Sequence, residues 1–72
     1  MSAMVDDFEV EYDARKGEWL VIVRTGWALT LIASRVDVLD KYLVRYATNN
    51  PELRDRLLDA RLWLKRPHGD LR

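Results

Sequence analysis

Residues 19–33 read WLVIVRTGWALTLIA, an apolar run broken only by Arg24, Thr25 and Gly26. It is too apolar for a strand pair with one wet face. It also falls short of the roughly 18–20 residues of a membrane span, and it carries Arg24. Both sides of such a stretch need cover, and a chain of 72 residues has little to spare. The run therefore points outward, towards a partner.

Upstream, Phe8, Val10 and Tyr12 alternate with Glu9, Glu11 and Asp13, the period-two pattern of a half-buried strand. Residues 14–17 (ARKG) form a turn in which Gly17 is free to take a positive φ. A four-residue turn sets Asp13 opposite Glu18 and pairs Tyr12–Trp19, Val10–Val21 and Phe8–Val23 on one face. A slip of one residue would set Glu11 against Trp19, so this register is favoured. A second tight turn at Thr25-Gly26 pairs Ile22 with Leu29 and Leu20 with Leu31, making a third strand from Trp27 to about Ala33. A bulge bending one long strand is the alternative. In the meander, Ala28, Thr30 and Ile32 join the first face, while Leu20, Ile22, Trp27, Leu29 and Leu31 make a second apolar face beside Glu9, Glu11 and Arg24.

The rest of the chain is helical in pattern. Ser34 fits a helix cap with Asp37 in the first turn, and Val36, Leu39, Leu43, Tyr46 and Ala47 recur at helical spacing over about 35–48. Asn50, Pro51 and Glu52 open a second helix as cap, first residue and first-turn acid. Its stripe is Leu53, Leu57, Ala60 and Leu64, widened by Leu58, Leu62 and Trp63, and Pro67 stops it. The fold class is α+β: a small antiparallel sheet of two to three strands followed by two C-terminal helices. Residues 1–72 form a single domain, with 1–6 and 67–72 expected to fray. Two short helices cover one face of such a sheet. The second face, including Trp27, then stays exposed unless the helices divide between the faces.

Composition narrows the function more by exclusion than by signal. There is no cysteine, hence no disulfide or thiolate metal site, which fits a cytoplasmic protein. No early segment resembles a signal peptide, because Asp6, Asp7 and Glu9 interrupt it. The formal net charge of zero hides an asymmetry: residues 1–23 carry −4 and residues 24–72 carry +4. His68 is the only histidine, Ser2 and Ser34 the only serines, and the three glycines are isolated. No catalytic triad, phosphate loop, metal site or cofactor site follows from them, and no enzyme is expected. Glu9 and Glu11 read as the wet side of a hairpin.

Two binding readings remain. Arg54, Arg61, Lys65 and Arg66 form a basic stripe on the second helix, and the two helices around Asn50 invite comparison with a helix-turn-helix that binds nucleic acid. Asp55 and Asp59 interleave with those bases, which weighs against it. The favoured reading is a protein partner, met by Glu9, Glu11, Leu20, Ile22, Arg24, Trp27 and Leu29. A homodimer hiding the second apolar face against itself is a further alternative.

From the MSAMVDDFEVEYD opening to the capped NNPELRDRLLDARLWLKRP helix, the chain resembles small phage-encoded transcription regulators that bind and inhibit host bacterial RNA polymerase. The resemblance lies in the acidic hairpin, the surplus tryptophan and the basic helical end, and no diagnostic motif carries it. It implies a non-enzymatic inhibitor that docks on the polymerase, interferes with σ-factor-dependent initiation and has suppression of termination as a further activity. No functional residues carry over, because there is no motif to align.

Overall fold

A computed structural model describes residues 2–5, 7–27 and 29–66. The chain is α+β. Four antiparallel strands, β1 (Ser2–Val5), β2 (Phe8–Asp13), β3 (Glu18–Arg24) and β4 (Thr30–Ala33), lie in sequence order in one sheet. Two helices follow, α1 (Val36–Tyr46) and α2 (Pro51–Lys65).

The central hairpin forms as its alternation predicts. Tyr12 pairs with Trp19, Val10 with Val21 and Asp13 with Glu18. Gly17 takes φ 66°, and its amide donates to the Asp13 carbonyl at 2.8 Å, closing the turn. The Asp13 carboxylate accepts from the Arg15 amide at 3.1 Å. This is local chemistry, a side chain and a glycine shaping four residues, and so it is readable locally.

Both outer strands depart from the sequence expectation. Residues 2–5 were expected to fray with the rest of the N-terminal end, yet they form β1, with Ala3 opposite Val10 and Val5 opposite Phe8. Four residues of weak pattern become a strand because β2 offers them a ladder of backbone partners. The last strand begins at Thr30, not Trp27, and Ile22 pairs with Ile32 rather than Leu29. The physical reason is a wider loop. The Thr25 amide and hydroxyl both donate to the Leu29 carbonyl, at 3.2 and 2.6 Å, so the chain closes over five residues. The register moves by three, an odd number, and an odd shift exchanges the faces. Leu31 therefore points into the core and Ile32 points out, the reverse of the expected arrangement.

One face of the sheet carries the core. Phe8, Val10, Val21, Val23, Leu31 and Ala33 meet Leu39 and Ala47 from the α1 side and Leu53, Leu57 and Ala60 of α2. α2 packs on β3 and α1 on β4. Trp19 stacks edge-on with Tyr12 (5.2 Å between centroids) and with Trp63 of α2 (5.5 Å), extending the core to the far end of the hairpin.

The helix ends follow partly from sequence. Asn50 caps α2, its side chain accepting from the Leu53 amide at 3.2 Å, with Pro51 as the first helical residue. Ser34 does not cap α1. Arg35 holds the cap position without a side-chain cap bond, its guanidinium instead paired to Asp37 at 3.1 Å. α1 ends at Tyr46, and Thr48 turns back to donate to the Val44 carbonyl at 2.6 Å. The stripe of α2 is narrower than its leucines imply: Leu58 and Leu62 are exposed, because the helix touches the sheet along one flank only. Residues 67–72, including His68, lie outside the described residues.

Candidate interaction surface: the open face of the sheet

Strand alternation sorts the sheet into two faces, and both helices lie on the first. The second carries Met4 from β1, Glu9, Glu11 and Asp13 from β2, Glu18, Leu20, Ile22 and Arg24 from β3, and Thr30 and Ile32 from β4. Among the described residues no helix covers it.

The registers arrange this face in rows across the strands. Met4, Glu9, Ile22 and Ile32 stand side by side in one row. The next row holds Glu11 and Leu20, and the last Asp13 and Glu18. On the other side of the first row, Arg24 lies beside Thr30. Met4 and Ile32, on the two edge strands, are 64% and 49% exposed. Ile22 between them is nearly buried by its neighbours at 9%.

Glu9 and Arg24 form the one ion pair among the described residues of this face. The guanidinium Nε donates to the Glu9 carboxylate at 2.6 Å. That hydrogen bond, with the carboxylate's charge behind it, raises the Arg24 pKa above its ordinary value. The pair is exposed and contributes little to stability. Its effect is to hold two polar groups in place beside Ile22. At the same end, α2 reaches round the sheet: Arg56 donates to the Arg24 carbonyl at 3.1 Å and lies 3.9 Å from the Asp7 carboxylate.

Five of the seven expected partner-binding residues (Glu9, Glu11, Leu20, Ile22 and Arg24) come together on this face. Leu29 does not join them; it packs against the core. Trp27 sits in the loop before β4, 55% exposed, with its amide 3.4 Å from the Thr25 hydroxyl. Sequence reasoning missed Met4 and Ile32. Met4 had only a weak signal, because residues 2–5 (SAMV) show no polar–apolar alternation. Ile32 had none, because its side depends on the loop. β1 covers β2, so Glu9 and Glu11 lie on an inner strand of the sheet and offer no free strand edge to a partner.

No protein-family model, curated protein or solved structure matches this chain.

The basic stripe is divided by the packing. Arg61 donates to Asp40 of α1 at 2.7 Å and serves as a tie between the helices. Arg54, Lys65 and Arg66 are exposed. α2 carries Asp55 and Asp59 among them, and its opposite flank is committed to the sheet, which leaves a mixed rather than a basic surface. No helix among the described residues is long and apolar enough to cross a membrane.

Proposed function

We propose that the protein is a non-enzymatic regulator that docks on a larger protein machine through the open face of its sheet. The single observation supporting this is a row holding the apolar Met4, Ile22 and Ile32 that no helix covers among the described residues, with Met4 and Ile32 exposed, Glu9 standing within the row and Glu11 and Arg24 beside it. An apolar patch with a polar rim is the usual form of an interaction site. The machine proposed is bacterial RNA polymerase, with σ-factor-dependent initiation as the step affected and termination as a further one. Support for that partner comes from the sequence resemblance.

The test is retention of purified bacterial polymerase, core and holoenzyme, on the immobilised full-length chain, with promoter-dependent transcription measured in parallel. Retention and reduced initiation are expected. An Ile32→Asp variant should fold but retain far less enzyme. Absence of retention by the unaltered chain at low salt would remove the polymerase as the partner.

A further inference from the structure

We infer that the open sheet face receives a basic amphipathic helix of the partner protein, an inference resting on the reading of that face as the docking surface. Its first ground is charge. Four carboxylates (Glu9, Glu11, Asp13 and Glu18) share the face with a single guanidinium, Arg24, and Glu9 already occupies it at 2.6 Å. Arg15 and Lys16 stand in the turn beyond Asp13 and Glu18, and Arg24 is engaged by Glu9, so Glu11, exposed in the middle of β2, is the carboxylate that lies between those two groups of cations. Apolar side chains gather in the Met4–Glu9–Ile22–Ile32 row with Glu9 among them, and acids alone make the Asp13–Glu18 row at the turn end. The complementary surface is an apolar stripe with a cationic flank.

The second ground is shape. From β1 to β4 the row Met4–Glu9–Ile22–Ile32 crosses three strand spacings, about 14 Å, which about ten residues of helix would span. Helix-on-sheet packing is what α1 and α2 already do on the opposite face, so such a helix would complete a third layer. A second copy of this chain fits poorly, because face-to-face packing sets the carboxylates of one copy against those of the other. An added edge strand would leave the apolar row bare. On β4 it would also have to displace the Tyr42 hydroxyl, which donates to the Ile32 carbonyl at 2.9 Å.

The probe is a helical peptide of about four turns, with leucines at i, i+3, i+4 and i+7 and lysines elsewhere, against a twin carrying glutamate in place of lysine. Each is titrated into the isotope-labelled full-length chain and followed by amide chemical shifts. The lysine peptide is expected to move the amides of Glu9, Glu11, Leu20, Ile22 and Ile32. Its affinity should drop as salt rises, and Glu11→Lys should weaken it by about five-fold or more. The glutamate twin should leave the face unmoved. The inference is overturned if the twins bind alike, if the shifts map to α1 and α2, if neither peptide binds, or if the chain alone dimerises through this face. Polymerase separates the two proposals. If it is retained equally by the unaltered and Glu11→Lys chains, this inference fails and the proposed function stands. If it is not retained while the peptide maps to the face, the polymerase fails and this inference stands.

Discussion

The two faces of the sheet are made from the same strands by alternate residues, and both carry large apolar side chains. On one, Val21 and Val23 are fully buried beneath Leu39 and Leu57. On the other, Met4 and Ile32 remain about half exposed or more. Hydrophobicity alone does not separate them, since Ile32 is as apolar as any core residue. The separating features are the helices, which cover one side, and the charges, which crowd the other. The same kind of residue makes a core under two helices and, left uncovered, the face on which the proposed docking rests.

The sharpest test of this contrast is to truncate each face in turn. Leu57→Ala on the closed side should cost about 2–5 kcal/mol by urea denaturation, a large fraction of the stability of a domain this small. Next in size is the register that sorts residues between the faces. Gly17→Ala forces a side chain into φ 66°, and its added Cβ meets nothing closer than the Tyr12 hydroxyl at 3.8 Å. The loss is therefore a backbone effect of about 1–2 kcal/mol, with Tyr12–Trp19 pairing intact by nuclear Overhauser contacts. Asn50→Ala loosens the start of the helix that covers the core. It should lower the unfolding midpoint by an amount equivalent to about 1 kcal/mol.

Smaller effects are expected outside the core. Arg61→Ala removes the half-exposed tie to Asp40 and should cost no more than about 1 kcal/mol, less at high salt. Smallest of all, Ile32→Ser on the open face should change stability by about 0.5 kcal/mol or less while weakening partner binding. A large stability loss there would show that the open face is structurally closed, and the contrast would collapse.

Legibility in the sequence followed the range of the interactions involved. The hairpin of Tyr12 and Trp19, the Gly17 turn and the Asn50 cap each depend on residues a few positions apart, and they were readable. The side of the sheet on which Leu31 and Ile32 fall was not readable, because it depends on how Thr25 closes its loop. The strand at Ser2–Val5 was also hidden, since its pattern is short and its pairing supplies what its composition lacks. Of the candidate site, Glu9, Glu11, Leu20, Ile22 and Arg24 were legible because they belong to the locally determined hairpin. Leu29 was misplaced with the loop, and the Arg61–Asp40 tie joins residues too far apart in sequence to anticipate.

By itself, then, the sequence determined the elements and the apolar excess: alternation in residues 8–24, a glycine at the left-handed turn, a capped second helix, and more apolar strand surface than two helices can cover. Tertiary structure alone decided which residues make up that surplus. Side chains in a strand change face with every residue, so a single loop's length assigns a whole strand. The side on which the helices settle then turns one apolar face into a core and leaves the other open.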